Sequence, residues 1–359
     1  MLYICYENLN ARGFIGIKKK VLAQCQAFKK KFDTVYYTIF AGQVLYLLDN
    51  DMVVDKEFAV TKQTCNEIIL KWLIKYNLKR TYIRYSLSDL WFVEFLKELK
   101  VNGIKCVLEF PTIPYDNEGW IIRPVEDTYY REKLYKYVDY CTTYAKYEKV
   151  FNIPCIPLVN GVDIEEQKEK KYRKKDGRIV LLSVSSLVKW HGYERIIQGL
   201  NNYYLKGGEK TIVFNIVGEG EQLQYYKKIT REYQLENHVF YHGRLEGQKL
   251  DAIYDASDLA IGSLGFYKID LWTNSSIKLG EYCARGIPFI YGYEDPLFSE
   301  DNYFGHQVSN DAAPVDMEQV IEFYNAMYDG RNFINDMRQY ALGHLTWDTI
   351  LRPVMDYFI

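Results

Sequence analysis

Strand-like and helical segments alternate along almost the whole chain, and this alternation restricts its fold more than any other feature. The strand-like segment Leu2–Tyr6 is followed by a helical pattern that ends at Phe32. Further along, strand-like Thr81–Tyr85 and Lys105–Glu109 lie on either side of a helical segment at 90–100. Such alternation is typical of parallel sheets covered by helices. We therefore predict an α/β protein.

The alternation starts again after a polar interruption at 163–178, which we interpret as a linker. Beyond it, strand-like Ile179–Ser183, Thr211–Val217 and Leu259–Ile261 are separated by helical patterns. A chain of 359 residues also exceeds one ordinary domain. The sequence predicts two doubly wound domains, 1–160 and 177–345, and we expect a C-terminal helix at 346–359 to complete the first.

Composition excludes several classes of protein. With 48% hydrophobic and 26% charged residues, the chain is neither disordered nor collagen-like. No run approaches the ~20 apolar residues that span a bilayer, and residues 1–8 lack the basic start of a signal peptide. The seven cysteines are scattered and contain no C-x-x-C pair, so we predict neither disulfides nor a zinc site. We expect a cytoplasmic protein.

Basic residues are concentrated in the first half of the chain. Residues 1–175 contain 29 Lys and Arg against 22 Asp and Glu. The lysine-rich helical pattern at 17–32 suits an anionic membrane surface, and an amphipathic helix packed on the sheet is the alternative. The basic run 168–175 lacks the aromatic stacking platforms of nucleic-acid binding. We therefore expect no nucleic-acid partner.

The strongest local signal lies at 275–288. Ser275 and Ser276 are suited to open a helix, Gly286 to close it, and a strand follows. Backbone N–H donors at such a helix start suit a phosphate, and Lys278 adds a positive charge. Glu281 lies on the same face and can accept hydrogen bonds from sugar or ribose hydroxyls. The alternative is an ordinary surface Lys/Glu pair.

Three further motifs stand in a matching order: Val-Asn-Gly-Val-Asp at 159–163, Ile-Val-Gly-Glu-Gly at 216–220 and Asp-Leu-Ala at 258–260. With the 275–282 segment, they make the chain resemble family-4 glycosyltransferases, in particular bacterial capsular and exopolysaccharide enzymes. The resemblance implies the GT-B fold, in which two Rossmann-like domains face a central cleft. It also implies a retaining hexosyltransferase that uses a nucleotide sugar, with UDP favoured, and a glycan or lipid-linked acceptor.

The resemblance implies where the donor binds. Its diphosphate is expected at Ser275, Ser276 and Lys278, and its ribose at Glu281. The remaining donor-binding candidates lie in loops after strands: Ser186, Lys189, His191, Gly218, His242, Gly243 and Arg244. The chain departs from the family at Ser186 and His191, which replace an Arg and a Lys, and at Thr273, which replaces the first acid of a Glu-x7-Glu pair. Lys278, Lys189 or a protonated His191 is then expected to compensate.

Two segments of the first half supply the other candidates. Gly13 and Gly16 lie in a loop that resembles the glycine-bearing loop of the family beside the donor phosphates. Glu109 and Thr112 belong to a Glu-Phe-Pro-Thr-Ile-Pro-Tyr stretch at 109–115, and we expect them to contact the donor sugar or the acceptor hydroxyl. The alternative is that the two prolines stiffen a loop.

Two motifs resemble other sites. The triplet 49–51 is an Asp-x-Asp pattern, but it lies between apolar runs and predicts a turn, so we expect no metal. The loop at 217–220 lacks the third glycine of a dinucleotide fingerprint. Two other functions remain open: a non-catalytic subunit that supports a partner glycosyltransferase, and a GT-B-like sugar-nucleotide epimerase or hydrolase.

Overall fold

The computed structural model describes residues 1–359 except 12–13, 112, 114–124, 145, 174, 299–301 and 331. It divides into two compact units. Unit 1 comprises Met1–Val159 and Trp347–Ile359, and unit 2 comprises Asn160–Thr346. The two segments of unit 1 are therefore separated in sequence by the whole of unit 2.

Unit 1 is built on a nine-stranded sheet with the order β4-β3-β2-β1-β5-β6-β7-β9-β8. Its strands are β1 (Leu2–Ile4), β2 (Tyr36–Ala41), β3 (Val44–Asp49), β4 (Met52–Phe58), β5 (Arg80–Arg84), β6 (Lys105–Phe110), β7 (Tyr140–Thr143), β8 (Lys149–Val150) and β9 (Ile153–Pro157). The centre of the sheet is parallel, and β2–β3, β3–β4 and β8–β9 pair antiparallel. Asn50 and Asp51 both have positive φ, 47° and 65°, in the turn that joins β3 to β4. This confirms the predicted turn.

Helices cover both faces of this sheet. They are α1 (Ile15–Lys29), α2 (Lys62–Lys75), α3 (Leu90–Val101) and α4 (Val125–Arg131). Successive side chains of a strand point to opposite faces, and in β1 Leu2 belongs to one hydrophobic cluster whereas Tyr3 belongs to another. Thr61 and Asp89 cap α2 and α3 by accepting backbone hydrogen bonds. Both sheet faces are therefore buried, as in a doubly wound fold.

Helix α1 contains the basic pattern that suggested membrane contact. Its apolar side is packed in the core, where Val21 and Phe28 are fully buried. Several of its lysines, and Lys30 just beyond it, pair with acidic neighbours: Lys18 with Asp51, Lys20 with Glu109, Lys29 with Asp49 and Lys30 with Asp348. The structure thus shows the amphipathic helix packed on the sheet, and it gives no support to a membrane face at 17–32.

Unit 2 is built on a six-stranded, fully parallel sheet with the order β12-β11-β10-β13-β14-β15. Its strands are β10 (Ile179–Val184), β11 (Ile212–Val217), β12 (Val239–Tyr241), β13 (Leu259–Ile261), β14 (Phe289–Tyr291) and β15 (Gly305–Gln307). The chain moves outward from β10 to β12 and then returns to place β13 on the other side of β10. The strand order reverses at the β10–β13 pair, which is the topological switch point of a Rossmann-like sheet.

The helices of unit 2 are α5 (Glu194–Leu205), α6 (Leu223–Glu232), α7 (Gly247–Asp255), α8 (Ile277–Arg285), α9 (Met317–Tyr328) and α10 (Phe333–His344). The last two helices of the chain, α11 (Trp347–Ile350) and α12 (Arg352–Phe358), belong to unit 1. There Leu351 and Phe358 are fully buried in the hydrophobic cluster that also contains Phe28.

The polar stretch at 163–178, interpreted from sequence as a linker, is part of unit 2. Arg338 donates hydrogen bonds to the carbonyl oxygens of Ile164 and Gln167 at 3.0 and 2.7 Å. Arg173 forms an ion pair with the buried Asp258 at 2.9 Å. The units therefore change between Val159 and Asn160, before this stretch begins.

Candidate functional site

The loops after β10 and β13 meet at the carboxyl edge of the unit 2 sheet, where doubly wound proteins bind ligands. His191 follows β10, in a short 3-10 helix at Lys189–His191, and Ser263 follows β13. The Nδ1 atom of His191 lies 3.0 Å from Ser263 Oγ. This hydrogen bond joins the two loops on either side of the switch point.

His191 is buried and carries no charge at neutral pH. Burial lowers its pKa to about 2, with a further contribution from the Lys278 ammonium, while a hydrogen bond with the Ser186 backbone acts in the opposite direction. An imidazolium would have to form out of water and beside another cation. In this structure His191 is therefore neutral, whereas the sequence allowed a protonated ring as one of three sources of compensating charge.

Helix α8 brings Lys278 to the same place. Its Nζ atom lies 3.2 Å from His191 Nδ1 and 3.4 Å from the Tyr193 hydroxyl. Burial lowers the pKa of Lys278 to about 7, although the nearby Glu281 acts to raise it. Lys278 is thus held where it can gain a proton when an anion arrives.

The start of α8 is fixed by hydrogen bonds with two residues, Asn160 and Asp295. Ser275 is buried, its hydroxyl accepts from the Asn160 backbone N–H at 2.9 Å, and its carbonyl accepts from Asn160 Nδ2 at 2.8 Å. Ser276 is the N-cap residue, and within the described part of the chain its side chain makes no capping hydrogen bond. Its backbone N–H donates to Asp295 Oδ2 at 3.2 Å. The hydroxyl and carbonyl of Ser275 therefore anchor the helix start to Asn160.

Glu281 and Thr273 lie on either side of this helix start in sequence. Glu281 is partly buried, one turn after Lys278 on the same helix. Thr273, which stands where the family has an acid, donates from its hydroxyl to Glu294 Oε2 at 3.0 Å, and the two residues form a parallel β-bridge. A carboxylate therefore lies beside Thr273, and it is supplied by Glu294 from the segment after β14.

The glycine loop after β11 packs against the loop after β10. Gly218 has a φ of 131°, and a Cβ on it would overlap the carbonyl oxygen of Ser185. Its N–H donates to the carbonyl of Gly243, which follows β12, at 2.8 Å. Only glycine fits this close backbone approach. Gly218 therefore brings the loops after three neighbouring strands together.

The other donor-binding candidates of unit 2 are more exposed. Ser186 and Lys189 are exposed next to the His191 segment, and the Lys189 carbonyl accepts from Lys268 Nζ at 3.1 Å. His242 is exposed and lies 2.8 Å from Asn215 Oδ1 through its Nε2 atom. Arg244 is paired with Glu246 at 2.8 Å. These residues lie along the same carboxyl edge, which is consistent with a ligand that extends along it.

Glu109, at the end of β6 in unit 1, is placed differently from the sequence expectation. It is completely buried, and Arg84 Nη1 and the Tyr144 hydroxyl donate to its Oε1 atom at 3.0 and 2.9 Å. Tyr3 donates to Oε2 at 3.1 Å, and Lys20 lies 3.5 Å away. Burial acts to raise the pKa of Glu109, but the charges of Lys20 and Arg84 together with these hydrogen bonds hold it below the ordinary value. A buried, fully paired carboxylate is not available to contact a sugar or act as a general base, so Glu109 is a structural residue.

The glycine-bearing loop is only partly described. Gly13 and Thr112 lie outside the described residues. Gly16 lies in the first turn of α1, so it is a helix residue and not the loop residue that the sequence suggested. A Cβ on Gly16 would meet no described protein atom within 4 Å. Nothing in the described protein therefore requires glycine at this position.

Among the described residues, no group of three or more His, Cys, Asp or Glu side chains is arranged to hold a metal ion. In the same part of the chain, no helix has both the length and the apolar character needed to cross a bilayer.

Several residues of this site were not predicted from the sequence, among them Tyr193, Ser263 and Asp295. Tyr193 lies parallel to the His191 ring, with 5.6 Å between the ring centroids, and its hydroxyl is 2.9 Å from Ser185 Oγ. Ser263 could have been predicted from the sequence, because it lies in the loop after the predicted strand at 259–261, separated from that strand by Gly262 alone. Asp295 follows β14, and its role depends on a contact with Ser276 that no local pattern reveals.

The two Rossmann-like units define the GT-B fold, and solved glycosyltransferases share it. A glycosyltransferase from Rickettsia africae matches with a TM-score of 0.66 and 12% identity, covering 99% of this chain and 97% of that one. Anabaena HepE, solved with UDP, matches with a TM-score of 0.60 and 11% identity, covering 100% and 99%. At such identities the likeness shows the fold alone.

Sequence comparison adds a domain-level match. Residues 164–296, which lie within unit 2, match the family described as Glycosyl transferases group 1. An uncharacterized glycosyltransferase of Methanocaldococcus jannaschii is 33% identical over 142 residues, which is 36% of this chain and 36% of that protein. The alignment thus spans about a third of the curated relative. Together these matches support a transferase.

Proposed function

We propose that the chain is a glycosyltransferase that transfers a hexose-type sugar from a UDP-sugar to a glycan or lipid-linked acceptor, with retention of configuration and without a metal ion. One observation carries the proposal. The start of α8, with Lys278, lies at the switch point of the unit 2 sheet together with His191 and Ser263. A helix N-terminus and an ammonium group at this edge suit a diphosphate leaving group.

In this proposal each part of the site has a role. The N–H groups of the first turn of α8 and the Lys278 ammonium stabilise the charge that develops on the departing diphosphate. Glu281 accepts hydrogen bonds from the ribose, and the base lies near His242 and Gly243. UDP is favoured because Anabaena HepE, which shares the fold, has been solved with UDP and with UDP-glucose.

The acceptor and the setting are proposed from the family-4 resemblance. We assign the acceptor to unit 1 and the reaction to capsular or exopolysaccharide synthesis in the cytoplasm, on an acceptor held at the inner face of the membrane. A partner glycosyltransferase belongs to the same proposal. The apolar side of α1 is buried and several of its lysines are paired, which argues against residues 17–32 as the membrane face. We therefore propose that a lipid-linked acceptor binds at another surface of the protein.

Calorimetric titration of the full chain with UDP and GDP tests the donor site. We expect UDP to bind more tightly than GDP, and Lys278→Ala to weaken UDP binding about 10- to 100-fold, because one charge-assisted interaction is lost. Glu281→Ala should also weaken UDP binding. Lys228→Ala and Glu232→Ala, an exposed pair on α6, are matched controls with unchanged affinity. Unchanged UDP affinity in both Lys278→Ala and Glu281→Ala would contradict the site.

Transfer from a panel of radiolabelled nucleotide sugars to membrane extracts tests the reaction. A labelled glycan or lipid that disappears in Lys278→Ala supports transfer. Two observations favour a non-catalytic subunit: Ser186 is uncharged, and His191 is neutral where the family carries a cation. UDP binding without any turnover would support that alternative, and sugar release without an acceptor product would support a hydrolase.

A further inference from the structure

We propose that His191 is a positioning residue, whose neutral ring accepts a hydrogen bond from the Lys278 ammonium and holds that group at the carboxyl edge of the sheet beside the first turn of α8. The inference rests on the proposed function, in which Lys278 binds the donor diphosphate. It gives His191 a different role from the cation that it replaces in the family, because His191 acts through Lys278 and not directly on the donor.

The hydrogen-bond chemistry fixes the direction of this contact. The ammonium form of Lys278 has three donors and no acceptor, so in that form His191 Nδ1, 3.2 Å from Nζ, is the acceptor. An imidazole nitrogen accepts only when it carries no proton. The ring is therefore neutral, with its proton on Nε2. An imidazolium in this place would repel Lys278 instead of holding it.

The ring is held in place on several sides. Ser263 Oγ lies 3.0 Å from the same Nδ1 atom, and Tyr193 stacks against the ring with an angle of 14° between the planes. Tyr193 is itself fixed by Ser185 Oγ and lies 3.4 Å from Lys278 Nζ through its hydroxyl. A buried ring with these neighbours has little freedom to turn. It therefore presents Nδ1 to Lys278 in one fixed direction.

Among Lys278, His191 and Tyr193, Lys278 is the group that changes its charge near neutral pH. His191 and Tyr193 face it from the segment after β10, and both are uncharged at neutral pH because burial lowers the pKa of His191 and raises that of Tyr193. Glu281 on its own helix raises the pKa of Lys278, and Asp295 lies at the helix start. A diphosphate that binds here favours the ammonium form, so donor binding should take up a proton above pH 7.

The test compares two amide replacements. His191→Asn places an amide oxygen close to the position of Nδ1, whereas His191→Gln places its amide near Nε2 and leaves Lys278 without its acceptor. We would measure UDP affinity of the full chain by calorimetry from pH 6 to 9, in buffers of different ionisation enthalpy. In the wild-type protein we expect affinity to fall as pH rises through about 7, with proton uptake at pH 8.

We expect His191→Asn to keep this profile. We expect His191→Gln to bind UDP about 10-fold more weakly at pH 8 and to show the fall in affinity at a lower pH, because an ammonium without its acceptor is more easily deprotonated. The Asp295→Asn variant separates the two titrating groups. If the fall in affinity with pH persists there, it belongs to Lys278.

The outcomes separate this inference from the proposed function. If Lys278→Ala binds UDP like the wild-type protein, the proposed donor site itself fails. If Lys278→Ala weakens binding but His191→Gln keeps the wild-type affinity and pH profile, the positioning role alone is overturned. Equal loss in His191→Asn and His191→Gln with no change of pH profile would also overturn it. Thermal unfolding of each variant shows whether the fold is intact.

Discussion

The backbone N–H of Ser276, where α8 starts, donates a hydrogen bond to Oδ2 of Asp295 across 3.2 Å. The other oxygen of Asp295 accepts from the Leu297 N–H at 3.1 Å. Burial nevertheless dominates and raises the pKa of Asp295 to about 7. The start of α8 therefore faces a carboxyl group that is only partly ionised near neutral pH.

This pKa predicts how stability depends on pH. The folded protein binds the Asp295 proton more tightly than the unfolded chain, whose ordinary value is 3.8. The contribution of Asp295 to stability therefore falls as pH rises from about 4 to about 7, and it stays low above pH 7. Asp295→Asn removes this ionisation, so we expect it to gain stability relative to the wild-type protein at pH 8, on the order of 2–4 kcal/mol more than at pH 4.

Urea unfolding of both proteins at pH 4 and pH 8 measures this difference. Asp329→Asn removes a carboxylate that is exposed to water and serves as the control, with little change at either pH. The same difference between Asp295→Asn and the wild-type protein at both pH values would show that Asp295 keeps an ordinary pKa.

Glu109→Gln tests the structural role of the buried carboxylate in unit 1. The substitution leaves the cations of Arg84 and Lys20 without their buried partner, so we expect a loss of about 3–5 kcal/mol in the free energy of unfolding. Urea unfolding followed by circular dichroism measures this loss. The control Glu94→Gln breaks an ion pair whose two side chains are about half exposed and should change stability by less than about 1 kcal/mol. Full stability with lost transfer would instead favour a catalytic Glu109.

Gly218→Ala tests the close packing of the loops at the candidate site. The new Cβ would overlap the Ser185 carbonyl oxygen, and the φ of 131° is strained for any other residue. We expect a loss of about 2–4 kcal/mol and weaker UDP binding, because the backbone must move. Gly343→Ala is the matched control: it lies in α10 and its Cβ would meet open space. A gain of up to about 1 kcal/mol with unchanged UDP affinity is expected there.

The sequence predicted those strands whose side chains are buried. The predicted 179–183 and 211–217 correspond to β10 (Ile179–Val184) and β11 (Ile212–Val217), since a parallel strand buried on both faces is a continuous apolar run. It missed β4 (Met52–Phe58), an edge strand that is largely exposed and carries charged residues at 55–57. An edge strand needs neither an apolar run nor strict alternation, so periodicity does not detect it.

For the candidate site, the sequence predicted helix α8 but did not predict the contacts that its residue Lys278 makes. Cap residues predicted α8 and placed Lys278 in its first turn, because capping is a local property. The contacts of Lys278 join positions far apart in sequence: His191 is 87 residues away, and the Ser263 that holds His191 is 72 residues from it. Burial also keeps the His191 ring neutral, whereas the sequence allowed a protonated ring. Neither distance in the fold nor exclusion from water can be inferred from a single sequence.

The return of α11 and α12 to the core of unit 1 affects the order in which the protein can fold during synthesis. Unit 2 is one uninterrupted segment, so it can form as soon as Thr346 has left the ribosome. Most of unit 1 emerges first, but the apolar surface around Phe28 stays uncovered until Leu351 and Phe358 have been synthesised and can pack on it. Throughout translation of unit 2, the nascent chain therefore exposes an apolar surface that a chaperone can bind.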